Sequence, residues 1–258
     1  MIDITQIETF YPEILRPFKK NLLREYLQYK ILGVIFTSPF AKHLSLMGGT
    51  AIRIIHSGTR FSEDLDFDNS GLDKNGFEEM ARLINKRLEL EGYPGEIKNV
   101  FRTSFRSYIR ISNILFDNRI SRHRDEKLLI QIDTEPQNFA YSSEGIIINK
   151  FDVFVRIRTV PVDILLAQKI CCLFTRKRPM GRDFYDIIFL SAKTKPNYNY
   201  LKEKLGIDSK DSLCKKILAK CKGLDFKQLS RDVAPFLFNP GDAEKILSFQ
   251  DFVGSARF

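Results

Sequence analysis

Asp64 and Asp66 stand one residue apart in "SEDLDFD" (62–68), and Leu65 and Phe67 alternate with them. On an extended strand, residues two apart project from one face. Asp64, Asp66 and Asp68 therefore share a side, while Leu65 and Phe67 take the other. Like charges this close repel one another, and desolvation disfavours them further. Three arrangements relieve this: a wet face, neutralising basic side chains, or a divalent cation, which carboxylates and substrate phosphates commonly hold together.

Upstream, "LMGGTA" (46–51) places Gly48, Gly49 and Thr50 after an apolar run. Glycines let the backbone approach a ligand closely, and a threonine at a helix start offers a hydroxyl and free amides to a phosphate. The plainer alternative is a tight turn with a helix cap. A third carboxylate, Asp133, ends "LLIQID"; it is placed to complete a metal pair, to act as a base, or merely to start a turn. Lys169 lies in an apolar helix, where a lysine ordinarily extends its ammonium to solvent. In "RKRPMGRDFYD" (176–186), Asp183 begins a helix and suits its dipole, and Arg182 and Asp186 are spaced for an i,i+4 pair.

With these residues in view, "GGTAIRIIHSGTRFSEDLDF" resembles the first motif of the nucleotidyltransferase superfamily. Together with "LLAQKICCLFTRKRPMGRDFYDIIFL" (165–190) it is similar to the AbiEii-like toxins, a group that includes the MenT toxins. The resemblance implies a nucleotidyltransferase-type mixed β-sheet with flanking helices, an α/β (α+β) fold, followed by a C-terminal helical bundle. It implies that Gly48, Gly49 and Thr50 cradle the phosphates of an NTP, with Ser62 just ahead of the metal strand. Asp64, Asp66 and Asp133 would bridge two Mg²⁺ or Mn²⁺ ions. Lys169 would touch the triphosphate, and Asp183 would be the active-site member of the "RD-x-x-D" motif formed with Arg182 and Asp186. The spacer before Asp64 is near the long end of the family pattern, which leaves open how Arg60 and Ser62 meet the phosphates. The implied reaction moves an NMP to an acceptor, the 3′ end of tRNA, within a toxin–antitoxin or phage-defence system with a cognate antitoxin. A small-molecule acceptor such as an aminoglycoside, or a catalytically idle NTP- or partner-binding module, are the competing readings.

The elements that must position these residues follow from periodicity. Helical spacing runs over 12–37, a short strand is expected at 44–47, a helix over 50–57 and a strand at 64–68. An amphipathic helix spans 74–91 and ends at Gly92. The period then changes to two in "EIKNVFRT", "SYIRISNI", "KLLIQIDTE", "GIIINK" and "VFVRIRTV", all read as strands. From Pro161 the pattern is helical again, over 161–176, 182–193 and four shorter helices between 198 and 254. Residues 1–160 are thus expected to form an α/β domain with N-terminal helices, and 161–258 a helical domain packed against it.

Composition is permissive rather than decisive. The 258 residues carry 41 Lys plus Arg against 32 Asp plus Glu, a formal charge of +9 that favours polyanionic partners. Arg176, Lys177 and Arg178 are the candidate RNA contact. "CKKILAKCK" (214–222) and Arg119, Arg122, Arg124 and Lys127 form two further basic clusters. No stretch is long enough to span a bilayer, the first residues lack a charged leader before an apolar region, and the four cysteines form no C-x-x-C pair. The reading is a cytoplasmic protein with reduced cysteines and no membrane partner.

Overall fold

Alternation of apolar and polar residues produces one seven-stranded sheet. The computed structural model describes residues 3–255 and 258. It divides into two units: Met1–His56 with Phe61–Thr159, and Ser57–Arg60 with Val160–Phe258.

The first unit contains α1 (Ile4–Glu8), α2 (Lys19–Phe36), β1 (Leu44–Met47), α3 (Gly48–Ile54), β2 (Asp64–Asn69), α4 (Lys74–Leu90), β3 (Gly95–Phe101), β4 (Phe105–Ile111), α5 (Ile114–Asp117), β5 (Leu128–Glu135), β6 (Glu144–Lys150) and β7 (Val153–Thr159). Strand order is β3-β4-β5-β2-β1-β7-β6. The sheet is mixed: β1 pairs parallel with β7 and β2 with β5, while the other neighbours are antiparallel. On its buried face lie Leu65, Phe67, Ile109, Ile111, Ile130 and Ile132. Helices α2 and α4 pack against the sheet strands. In α4, Phe77, Met80, Ala81, Ile84 and Leu88 repeat at helical spacing and are all buried. Asp73 caps that helix by accepting from the Gly76 amide at 2.8 Å.

Two short helices escape the periodic reading. Helix α1 has five residues, too few for an amphipathic repeat. Helix α5 begins at Ile114, where a strand was expected to continue. Asn113 takes a left-handed backbone (φ 61°), which ends β4 and turns Ile114 and Leu115 into the interior.

The second unit holds α6 (Val162–Thr175), α7 (Gly181–Ser191), α8 (Tyr198–Leu205), α9 (Lys210–Cys221), α10 (Phe226–Val233) and α11 (Phe249–Ser255). Its core centres on Phe184, which meets Phe249 and Phe226 edge-on at centroid distances of 4.8 and 5.6 Å. A side chain at Gly181 would collide with the Leu229 carbonyl, so glycine is what lets α7 start against α10. The segment Ser57–Arg60 joins this unit through a bridge from Arg60 to Leu237 and a bond from the Phe238 amide to the Thr59 carbonyl at 3.1 Å. All four cysteines are free, on α6 and α9. No helix among the described residues is long and apolar enough to cross a membrane.

Candidate active site

Strand β2 is half-wet, and its pattern explains the carboxylates. Leu65 and Phe67 are fully buried, whereas Asp64 and Asp66 are half-buried on the other face. Because β2 and β5 run parallel, Asp66 lies directly opposite Asp133 and Asp64 opposite Gln131. Directly paired residues share a face. Asp64, Asp66 and Asp133 are therefore gathered on one side of adjacent strands, a pairing between segments nearly seventy residues apart.

The glycine turn abuts this row. Met47 is the register partner of Asp66, and Gly48 follows with a positive φ of 72°; a side chain there would run into the Asp66 carboxylate. Helix α3 starts at Gly48 rather than at Thr50. Thr50 is fully buried and its hydroxyl donates to the Asp64 carbonyl. What Thr50 does here is tie α3 to β2, leaving backbone amides as what the turn can offer a phosphate. The far end of α3 is held by Arg53, whose guanidinium donates to the buried Glu25 at 2.7 and 3.1 Å. Lys150 and the Tyr11 hydroxyl donate to the same carboxylate, each at 2.9 Å. Burial pushes the Glu25 carboxyl up, but Arg53 and then Lys150 outweigh it and hold it below its usual range.

Asp68 does not join the row as a free carboxylate. It is buried, accepting from the Gln137 amide at 2.8 Å and from the Tyr141 hydroxyl at 2.6 Å. Asp133 is also engaged: Arg106 on β4 donates to it at 2.5 and 3.1 Å, and the Gln131 amide at 2.7 Å. Among the described residues no group of three or more His, Cys, Asp or Glu side chains is arranged to hold a metal ion. Asp64 and Asp66, half-buried on the same face, form a carboxylate pair of the kind that suits a hard cation, whose other ligands would be phosphate oxygens.

In the second unit a separate ionic cluster is buried. Lys169 lies 2.9 Å from Asp186 and 3.4 Å from Asp183. Arg60 meets both oxygens of Asp186 at 2.6 and 2.7 Å, and Arg176 approaches Asp183 at 3.3 Å. Exposures are 7% for Lys169, 3% for Arg60, 1% for Asp186 and nil for Asp183. Lys169 thus does not reach for solvent, since two carboxylates replace water around its ammonium. Asp186 turns to Arg60 and Lys169 instead of forming the i,i+4 pair with Arg182. Burial would raise its carboxyl, yet Arg60 and then Lys169 more than reverse this and hold it at about 2. Asp183 keeps one oxygen, Oδ2, buried without a hydrogen bond.

The family model for the nucleotidyl transferase AbiEii toxin of type IV toxin–antitoxin systems matches residues 30–232, well over half of the chain. The chain belongs to the AbiEii family. It is accordingly a nucleotidyltransferase with the mixed α/β fold expected of one. The crystal structure of JHP933 from Helicobacter pylori superposes with a TM-score of 0.56 at 19% identity, over 91% of this chain and 90% of that one. A candidate nucleotidyltransferase from H. pylori gives 0.53 at 18%, over 91% and 94%. Both likenesses bear on the fold. No curated protein matches the chain.

Within this AbiEii chain the basic run at 176–178 divides. Arg176 turns to Asp183 and the Met180 sulfur, Arg178 pairs with Asp232 at 3.0 Å on the surface, and Lys177 is exposed. A groove of about 520 Å³ opens elsewhere, lined by Lys30, Arg87, Glu91, Asp152 and Phe154 among others. Its two acids are both ion-paired to Lys30, at 2.6 and 2.7 Å, and it holds none of the carboxylate row. Sequence reasoning passed over Arg106, the partner of Asp133. The signal was present in "FRSYIRI", where Arg106, Tyr108 and Arg110 alternate with buried residues.

Proposed function

We propose that this AbiEii nucleotidyltransferase transfers the NMP of an NTP to the 3′ end of tRNA, releasing pyrophosphate. In this reading it acts in the cytoplasm as the toxin of a toxin–antitoxin or phage-defence pair, opposed by a cognate antitoxin. The observation that carries the reading is the β2–β5 register, which sets Asp66 opposite Asp133 with Asp64 on the same face, beside the Gly48 turn.

Asp64 and Asp66 would hold Mg²⁺ or Mn²⁺, since paired carboxylate oxygens suit a hard cation. When bound, the cation would offset charge on the triphosphate and on departing pyrophosphate. The amides of Gly48 and Gly49 and the Ser62 hydroxyl would receive phosphate oxygens. The acceptor hydroxyl oxygen bonds to the α-phosphorus as the bond to the bridging β-phosphate oxygen breaks, and pyrophosphate leaves with the electron pair. Asp133 would complete the cation's ligands or take the hydroxyl proton, and in the first role it must part from Arg106. Lys169 would meet the triphosphate by giving up a carboxylate, and Asp183, at 3.4 Å against 2.9 Å for Asp186 the longer of its two contacts, is the partner to release.

One observation favours a second reading, an idle NTP-binding module: Arg106 already occupies Asp133. The deciding experiment is incubation of purified protein with Mg²⁺, total tRNA and each α-labelled NTP in turn, beside Asp66→Ala. Label on tRNA that disappears in the variant supports transfer. Mg²⁺–NTP binding with neither label nor pyrophosphate release supports the idle module, and pyrophosphate release only on adding a small molecule such as an aminoglycoside would replace tRNA as the acceptor.

A further inference from the structure

The face of the sheet that carries the carboxylate row continues outward across β5, β4 and β3. Arg106 pairs in register with Asp133, Tyr108 with Gln131 and Arg110 with Leu129; on the far side Lys98 lies opposite Tyr108. All of these share the wet face, because Ser107, Ile109 and Ile111 on β4 are buried on the other. Two guanidinium groups lie near the Tyr108 ring, Arg106 at 6.0 Å and Arg110 at 5.5 Å from its centroid. Arg106 also lies 3.4 Å from the Tyr108 hydroxyl, so the ring is held in place.

Three features of this ladder exceed what a solvated sheet face requires. An aromatic ring is left half-buried on a wet face rather than turned to the core. Arg110 lies opposite Glu96 on β3, but that carboxylate is held by Lys127 at 2.6 Å and none is within ion-pair distance of Arg110, while Lys98 is exposed one strand away, also without an ion pair among the described residues. The basic residues also start beside the carboxylate row, with Arg106 opposite Asp133, which is one strand from Asp66.

We propose that the outward face of β4 binds a single-stranded polynucleotide, the acceptor strand, with a base stacked on Tyr108 and its phosphates met by Arg110 and Lys98. The inference rests on the transfer reading above and gives its acceptor a place. Bases of single strands are recognised by stacking on aromatic rings and guanidinium planes within a positive groove, largely without regard to sequence. A duplex, whose bases are already stacked, has nothing to offer the ring. The direction of the ladder also matters, since it leads the strand's end toward the carboxylates.

The test uses fluorescence anisotropy of a labelled 12-nucleotide single-stranded RNA on the full chain, with the thermal shift given by Mg²⁺ and a non-hydrolysable NTP measured in parallel. Tyr108→Ala is expected to weaken RNA binding about ten-fold, within the roughly five- to 150-fold worth of one stacked base. Tyr108→Phe keeps the ring and should stay within about two-fold. Arg110→Ala should flatten the log-affinity against log-salt slope by about 0.7, one phosphate's worth for a single strand. In each variant the NTP-induced shift should match that of the wild type. Wild-type affinity in Tyr108→Ala and Arg110→Ala would overturn the proposal, as would a wild-type protein that does not bind the RNA. If Tyr108→Ala loses the NTP shift instead, the ring receives the nucleotide's base and the proposal is overturned. Absence of any NTP shift in a wild-type protein that binds RNA through Tyr108 would remove the transfer reading and leave the platform.

Discussion

Arg60 and Asp186, 126 residues apart in sequence, form a two-point ion pair at 2.6 and 2.7 Å in which both side chains are almost wholly buried. A buried pair gains little over a well-packed apolar one, but losing one partner strands the other charge out of water. Asp186→Ala should therefore destabilise the protein by about 3–5 kcal/mol, because it removes the two-point acceptor of Arg60 and the nearer of the two carboxylates at Lys169. Urea denaturation would measure it. A loss under about 1 kcal/mol would mean that water reaches the two cations when the carboxylate is gone.

Acid should expose the same pair. The Asp186 carboxyl lies at about 2 in the folded chain, below the ordinary 3.8. Its contribution is complete above the unfolded value and is lost as pH falls through the folded one, since the unfolded chain binds the proton first. Roughly 2 kcal/mol should thus disappear between about pH 4.5 and pH 2. Denaturation series at pH 6, 4 and 3 should show a shallower acid limb in Asp186→Asn than in the wild type. Identical limbs would assign the acid sensitivity to other carboxylates.

Gly48 and Gly206 both adopt positive φ, 72° and 63°, but only Gly48 faces a neighbour. Alanine at Gly206 meets open space and should cost only the backbone strain, about 1 kcal/mol. Alanine at Gly48 adds a collision with the Asp66 carboxylate, for a loss of roughly 1–3 kcal/mol and a sharper fall in nucleotide transfer. Melting curves and labelled-NTP assays on the two variants would separate strain from displacement of Asp66.

Arg106→Ala should tighten Mn²⁺ binding in the absence of nucleotide, because it removes the cation now paired with Asp133. An increase of roughly ten-fold in affinity is the scale on which one adjacent charge acts on a carboxylate. Electron paramagnetic resonance of free Mn²⁺ would follow the titration. Unchanged affinity would mean that Asp133 is no ligand even when freed.

Legibility tracked locality. The Asp64–Asp66 alternation was readable because Leu65 and Phe67 had to face a core, and "LLIQID" was readable for the same reason. Register was not: nothing in either segment says that β2 inserts between β1 and β5, which is what brings Asp66 to Asp133. Arg106 stayed hidden, and Arg60, set beside the phosphates by the resemblance, was not seen to meet Asp186, because each finds its acid across a fold-dependent distance, 27 and 126 residues away. The resemblance singled out Lys169, Asp183 and Asp186 together, and the structure clusters them. That they neutralise one another in the interior depends on packing that periodicity does not encode.

The excursion of Ser57–Arg60 bears on how the polypeptide can be divided. Four residues of the helical unit are synthesised a hundred positions before the rest of it, and the chain then returns to lay down β2. A ribosome would thus release the first half with an arginine still lacking its carboxylate. Protease or gene surgery at residue 159, where a fragment boundary looks natural, would deliver a C-terminal piece in which Asp186 has lost its two-point partner Arg60 and keeps only Lys169 of the ion pairs described. The chain enters the helical unit twice, so no single cut divides the sequence along the unit boundary.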